Sequence, residues 1–252
     1  MSSKDCILEL LEYNKDHFLS GEEMARSLSI SRNAVWKAIN ELRALGYRID
    51  AVRNKGYLLS SDSDIISSQG ISAGLTDKAS ALILVYDSLE STNKTAKEFA
   101  INSAKHGTVI VADYQTRGKA HNNESFSSPS GGIYMSLILI PDRLPFEKPS
   151  DISKFSAYAV VKALSQLTAA KPVIRNVTDI YDNNQKIAGI LNESALDFET
   201  GRLQWVIIGV GIPMPVNASR NSVIAAIINN ILCPQDSPED IIKYYNDRHS
   251  KP

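Results

Sequence analysis

Three stretches combine residue types that could do chemistry. In Gln185-Lys186-Ile187-Ala188-Gly189-Ile190-Leu191-Asn192-Glu193, a lysine opens an apolar, small-residue strand. An ammonium so placed can serve a pocket as a fixed positive charge, and a nearby glycine lets a ligand approach the backbone. The polar loop Gln115 to Gly132 carries Arg117, Gly118, Lys119 and His121, a composition that can wrap a phosphate with backbone N–H groups and one or two cations. In Ser31-Arg32-Asn33-Ala34-Val35-Trp36-Lys37, an arginine can fork onto guanine, an asparagine onto adenine and a serine onto phosphate. That third reading requires a recognition helix. On composition alone, the bland alternatives are a strand-end lysine, a surface loop and a solvated helix end.

Other constellations fall away. Trp205 to Gly211 leads into Gly-x-Gly, but the third glycine, the following helix and the later acidic residue of a dinucleotide turn are missing. His17, His106, His121 and His249 are scattered without ligand spacing, so no metal site is expected. Cys6 and Cys233 are the two cysteines, which excludes a disulfide scaffold and a cysteine-rich zinc site.

The elements that must position these residues can be read from periodicity. Ile7, Leu8, Leu10 and Leu11 form an apolar stripe at helical spacing. Ser20 and Glu23 make a capping box ahead of Met24, Ala25 and Leu28. Ser31 caps a third helix with apolar positions Ala34, Val35, Ala38, Ile39, Leu42 and Leu45, and Gly46 ends it. Tyr47 to Val52 and Tyr57 to Ser60 then flank Arg53-Asn54-Lys55-Gly56, a hairpin with a basic tip. The plan is a winged helix-turn-helix over residues 1–62. In it Ser31, Arg32, Asn33, Trp36 and Lys37 lead the recognition helix, while Arg53 and Lys55 track the phosphate backbone. Charge agrees with this. Residues 1–30 hold three basic and six acidic residues, whereas residues 31–60 hold six basic and two acidic ones.

A linker or connecting helix is expected over 63–76, followed by a domain over 77–252. Its strand-like runs are Ala81 to Tyr86, Thr108 to Asp113, Ile133 to Ile140, Ile187 to Glu193 and Arg202 to Gly209. Thr92 to Ala100, Ser150 to Leu167 and Ser237 to Tyr245 read as helical, and Ile174 to Asp179 as a loop. Strands and helices mix without strict alternation, so the fold class is α+β. With 43% hydrophobic and 22% charged residues among 252, the chain can bury a real core. A net charge of −1 excludes a global field that would draw it to nucleic acid or a membrane, so any such affinity is local. No leader or membrane span is read, and a cytoplasmic protein with no membrane partner is expected.

These pieces resemble, in order, the BirA family of bifunctional biotin protein ligases and biotin operon repressors. The DNA-binding part is similar through Ser20-Gly21-Glu22-Glu23-Met24-Ala25, Ser31 to Lys37, Gly46-Tyr47 and Gly56-Tyr57. The larger domain is similar through Glu90-Ser91-Thr92-Asn93, Ala112 to Thr116, Ser128-Pro129, Lys186 to Leu191 and Ile208-Gly209-Val210-Gly211-Ile212. The resemblance implies an enzyme that joins biotin to ATP and passes the biotinyl group from biotinyl-AMP to a lysine of a carboxyl-carrier protein. Magnesium is a candidate companion of the nucleotide. It also implies a homodimer when liganded, bound to a DNA operator. Carried over by position, Ser91, Thr92, Asn93, Gln115 and Gly189 would contact biotin, Gly118 and Lys119 would lie in the adenylate loop, and Lys186 would be catalytic at the mixed-anhydride phosphate.

The departures are specific. Where the family's adenylate loop reads Gly-Arg-Gly-Arg-x-Gly-Arg-x-Trp, this chain has Gly118-Lys119-Ala120-His121-Asn122-Asn123-Glu124-Ser125-Phe126. The family's Lys-Trp-Pro-Asn-Asp becomes Arg175-Asn176-Val177-Thr178-Asp179, and Pro213 replaces an Asn. No counterpart of the small C-terminal SH3-like domain is read after Lys251-Pro252. The expected function is a DNA-binding regulator sensing biotin or biotinyl-adenylate, with ligase activity weak or lost. The rival is a working biotin–carrier-protein ligase.

Overall fold

The computed structural model describes residues 2–141, 149–197, 199–213 and 217–249. The chain divides into two units, Met1–Gly74 with Ser219–Ser222, and Leu75–Ala218 with Val223–Pro252.

The first unit is built on capped helices. Ser2 and Asp5 form a reciprocal capping box at the start of α1 (Ser3–Tyr13). The Ser20 and Ser31 hydroxyls accept from the Glu23 and Ala34 amides at the starts of α2 (Gly21–Ser27) and α3 (Arg32–Ala44). Gly46, at φ +94°, turns the chain out of α3. β1 (Ile49–Val52) and β2 (Gly56–Leu59) pair antiparallel to form the wing. Leu19 joins them through two 2.8 Å backbone bonds to Tyr57. Gly56 follows from that pairing, since a Cβ there would stand 2.0 Å from the Leu19 carbonyl oxygen. Ile7, Leu11, Met24, Val35, Ile39, Leu42 and Leu59 form one buried cluster, with Leu10 only partly buried at its edge.

Residues 63–74, expected as linker or connecting helix, carry α4 (Ser68–Ala73) and lie inside this unit. Two side chains from Ser219–Ser222 hold them. Arg220 bonds the Asp64 carboxylate and carbonyl, and buried Asn221 accepts from the Ser67 amide at 3.1 Å while donating to the Ile65 carbonyl at 2.8 Å.

The second unit is a seven-stranded mixed sheet covered by helices. Its elements are β3 (Leu82–Leu89), α5 (Thr92–Ile101), β4 (Thr108–Gln115), β5 (Ile133–Leu139), α6 (Pro149–Leu167), β6 (Val173–Arg175), β7 (Asp179–Asp182), β8 (Gln185–Leu196), β9 (Leu203–Ile212), α7 (Arg220–Leu232) from Val223 onward, and α8 (Pro238–Arg248). Strand order is β3-β4-β5-β9-β8-β7-β6. β3 and β4 run parallel, joined by α5, and every other pair is antiparallel. Ala96 of α5 packs with Ile110, Ile138, Trp205 and Ile207 of the strands. On the opposite face, Asn192 of β8 donates to Ser153 and Ser156 of α6.

Two expectations need correction. The segment Ile174 to Asp179 is not a simple loop but the hairpin β6–β7, whose turn holds Asn176 and Val177 at positive φ. Strands of three and four residues are too short for alternation to register. Helix α7 carries no readable periodicity in the sequence, because its buried Val223, Ile224, Ala225, Ile227, Ile228 and Ile231 leave little polar face to mark a 3.6-residue period. Among the described residues no helix is long and apolar enough to cross a membrane.

Candidate functional site

In the second unit, the turn from β3 into α5 sets the first group of polar residues. Ser91 is the N-cap of α5, its hydroxyl accepting from the Lys94 amide, and Thr92 and Asn93 open the helix. Gln115 ends the neighbouring β4, paired in register with Leu89. Its Oε1 accepts from the Thr92 amide at 2.7 Å and from Thr92 Oγ1 at 3.2 Å, while its Nε2 donates to Ser128 Oγ at 2.8 Å. Ser136, buried on β5, lies 2.8 Å from Thr92 Oγ1 and 2.6 Å from Asn93 Oδ1 and has one proton to give. The other end of the Asn93 amide donates to the Leu191 carbonyl and to Glu193 Oε2. Asn93 thus ties α5 to β5 and β8 through both ends of its amide.

Glycines shape the opposite wall. Gly189 of β8 and Gly211 of β9 stand directly across from each other, and the Phe126 ring lies on the pair. A Cβ at Gly211 would be 2.4 Å from that ring and one at Gly189 would be 3.2 Å away. The loop carrying Phe126 closes on itself through Phe126 N donating to Gly118 O (2.9 Å) and Ala120 N donating to Glu124 O (2.8 Å). His121 Nε2 lies 3.0 Å from Thr178 Oγ1 and 3.1 Å from the Ile190 carbonyl, which an Nε2–H satisfies.

Between these walls is an open cleft, about 660 Å³ with the solvent at its mouth included, lined among others by Ser91, Thr92, Asn93, Gln115, Lys119, Lys186 and Gly189. Gly118 sits behind the cleft, where a Cβ would meet the Phe126 carbonyl at 2.5 Å and Ser128 Oγ at 2.6 Å. Sequence reasoning gave no role to Phe126, Glu124 or Ser136. A lone aromatic, acid or serine carries no spacing signal, and their relevance comes from chain segments far apart in sequence. In the sequence Asp179 stands only as the last residue of the Arg175-Asn176-Val177-Thr178-Asp179 stretch. Here it holds Lys186 Nζ at 2.6 Å.

Charge in the cleft is balanced. The lining contains two cations, Lys119 and Lys186, and two carboxylates, Glu124 and Asp179. A wider groove beside it adds Lys94, Lys97 and Arg117 with Glu90 and Glu193. There the Lys94 hydrogen bond, helped by the Arg117 and Lys119 charges, holds the Glu90 carboxyl below its usual range. Among the described residues no group of three or more His, Cys, Asp and Glu side chains could hold a metal ion.

In the first unit, the six basic residues of 31–60 separate into two classes. Arg43 donates to the Ile49 carbonyl at 2.9 and 2.7 Å and so braces the wing, and Arg48 faces Asp62 at 3.8 Å. Arg32, Asn33, Trp36 and Lys37 are exposed on α3, away from buried Val35, Ala38, Ile39 and Leu42. Arg53 and Lys55 occupy the wing turn, with Lys55 Nζ 5.5 Å above the Phe18 ring.

Residues 85–213 match the biotin/lipoate A/B protein ligase family, and residues 5–58 match an HTH domain. The chain belongs to the biotin/lipoate A/B protein ligase family. The matched span of this family member contains every cleft residue from Ser91 to Gly211. Among its relatives, the bifunctional ligase/repressor BirA of Bacillus subtilis is 40% identical over 208 residues, covering 82% of this chain and 63% of that protein. The bifunctional ligase/repressor BirA of Escherichia coli is 30% identical over the same shares. The chain therefore spans just under two thirds of the length of these relatives.

Solved structures share the family fold. The biotin acetyl coenzyme A carboxylase synthetase of Helicobacter pylori, with biotinylated ATP bound, aligns at TM-score 0.57 and 20% identity over 66% of this chain and 80% of that one. The biotin protein ligase of Leishmania major, with biotin bound, aligns at 0.56 and 18% identity over 67% and 81%.

Proposed function

We propose that this chain is a DNA-binding transcriptional regulator of the BirA type that senses biotin or biotinyl-adenylate and has little ligase activity. Liganding would favour pairing of two chains on an operator. One observation carries the reading: the cleft lining holds two carboxylates, Glu124 and Asp179, alongside its two cations, Lys119 and Lys186.

Biotin needs polar partners for its ureido group, apolar contact for its ring and chain, and a cation for its carboxylate. Ser91, Thr92 and Gln115 supply hydroxyl and amide groups, Ile190, Leu191, Val210 and Phe126 supply apolar surface, and Lys119 or Lys186 supplies charge. Asn93 acts as a positioning residue, because both N–H protons and the Oδ1 of its amide are engaged by the protein, whereas the Gln115 Nε2 makes one donation and keeps an N–H for a ligand. A nucleotide adds anionic phosphate, which gains from a net positive, preorganised field. Here Asp179 offsets Lys186, and Glu124 brings a further negative charge to the loop. The balance favours biotin binding over its activation. Gly118 and Lys119 would shape whatever adenylate contact persists, and Lys186 would be the residue left to polarise an activated carboxyl.

The test is biotin-dependent exchange of pyrophosphate into ATP, beside calorimetry with biotin. Biotin binding with exchange orders of magnitude below that of an active ligase is the expected result. Exchange at an active ligase's rate would establish the rival reading. Absence of salt-sensitive, sequence-selective binding to the chain's own upstream DNA would remove the regulator reading.

A further inference from the structure

We infer that Trp36 reads thymine methyl groups in the major groove, which makes it a specificity-determining residue of the DNA face. The inference deepens the regulator reading and rests on it.

Trp36 is 61% exposed, the largest side chain on the solvent face of a helix whose other face is buried. Its position explains why that exposure suits DNA. It follows Arg32 and Asn33 at i+4 and i+3, so the three share one side of the first turns of α3. In a helix-turn-helix these turns enter the major groove. Arg32 shares that side of the helix, Lys37 is exposed on the next position, and Arg53 and Lys55 are exposed in the wing turn. The nearest carboxylate to Lys37 is Glu41, at 4.0 Å, too far to neutralise an exposed ammonium in water. Exposed cations on the same helix and wing as an exposed apolar ring match duplex DNA, whose phosphates are anionic and whose apolar group in the major groove is the thymine C5 methyl.

The division of labour follows from the chemistry of each side chain. Asn33 has an amide that can pair both the acceptor and the donor of adenine. The indole of Trp36 has one donor and no acceptor, so it reads little by hydrogen bonding and much by apolar contact. The geometry therefore points to a half-site in which a thymine lies within a base step or two of the adenine met by Asn33.

The experiment uses the full chain and a duplex selected by it from a random-sequence pool in the presence of biotin. Thymines are then replaced singly by deoxyuridine, which removes only the methyl group. At one or two positions the wild type is expected to lose about four-fold in affinity, the ratio corresponding to ~0.8 kcal/mol per buried carbon. Trp36→Ala is expected to bind the thymine duplex more weakly, to show no thymine–deoxyuridine difference, and to keep the wild-type salt dependence. Trp36→Phe, which retains a ring, is expected to recover part of the difference and guards against loss of folding. Equal affinity of the wild type for all thymine and deoxyuridine duplexes overturns the inference and leaves the regulator reading intact. Loss of self-association in Trp36→Ala without any methyl effect assigns the indole to a contact between copies and also overturns it. Failure to select any duplex in a salt-sensitive manner overturns both.

Discussion

Asn93 lies so close over Gly209 that a Cβ on the glycine would stand 2.0 Å from Asn93 Oδ1. A side chain of α5 and the backbone of β9, 116 residues apart in sequence by their numbers, thus fit only because position 209 is glycine. Gly209→Ala must push the Asn93 amide off Ser136, Leu191 or Glu193 and leave a buried polar group unpaired. Such losses cost about 1–3 kcal/mol. The expected result is a lower unfolding midpoint together with a biotin affinity reduced roughly ten-fold or more, about 1.4 kcal/mol, by calorimetry. Unchanged biotin affinity would show that the Asn93 knot does not position the cleft.

The charge balance in the cleft gives a prediction of opposite sign. Glu124→Gln removes one of two carboxylates from the lining and leaves Lys119 and Lys186 in excess. Biotinyl-adenylate or ATP should then bind more tightly, by up to about five-fold for one exposed charge interaction worth ~1 kcal/mol. Biotin affinity should change less. Weaker nucleotide binding in the variant would contradict the electrostatic argument.

Asn221 is 2% exposed and both of its bonds go to backbone groups, Ser67 N–H and Ile65 C=O. Asn221→Ala strands both, and a cost of about 2–4 kcal/mol is expected for two buried groups. Denaturant titration of the full chain should show it as a lower midpoint with a similar slope for the transition that reports the first unit. A midpoint equal to the wild type would show that the two Asn221 bonds do not hold the segment.

Tyr158 and Lys162 of α6 cluster with Asp236, and two limbs of the pH profile are expected from them. Tyr158 donates to Asp236 Oδ2, and Lys162 Nζ lies 2.8 Å from both Tyr158 Oη and Asp236 Oδ2. The Lys162 and Tyr158 bonds lower the Asp236 carboxyl against the opposing effect of burial. A lowered acid stabilises the fold above its unfolded pKa of about 3.9, and that contribution disappears as pH falls through the folded value. Burial and the Asp236 bond raise the Tyr158 phenol to about 12. A raised phenol stabilises fully below its unfolded value of about 10, and the contribution is lost between there and about 12. Asp236→Asn should therefore flatten the fall of Tm below about pH 4. Tyr158→Phe should flatten the alkaline fall. An unaltered acid limb in the first variant would contradict the pairing.

The sequence by itself determined much of this protein. Local signals such as the Ser20 and Ser31 caps, the Gly46 exit and the 3.6-residue stripe of α3 act within a few residues, so they placed the winged helix and its exposed Arg32, Asn33, Trp36 and Lys37. The order of short motifs likewise placed Ser91, Thr92, Gln115 and Lys186 in one domain. What the sequence could not decide is which way Lys186 points. By strict alternation it shares a face with Ala188 and with Asn192, which turns to α6. Tyr181 pairs with Lys186 whereas Ile180 pairs with Ala188, so a bulge at Ile187 breaks the alternation. That single extra residue turns Lys186 onto the side of Gly189, where Asp179 meets it. A one-residue change of register reverses the face of every side chain beyond it. Pairing between strands sets that register, and it exists only in the assembled sheet. The same holds for Phe126 on Gly189 and Gly211, and for the carboxylates that balance the cleft: their meaning arises from which distant segments the fold brings within a few ångströms.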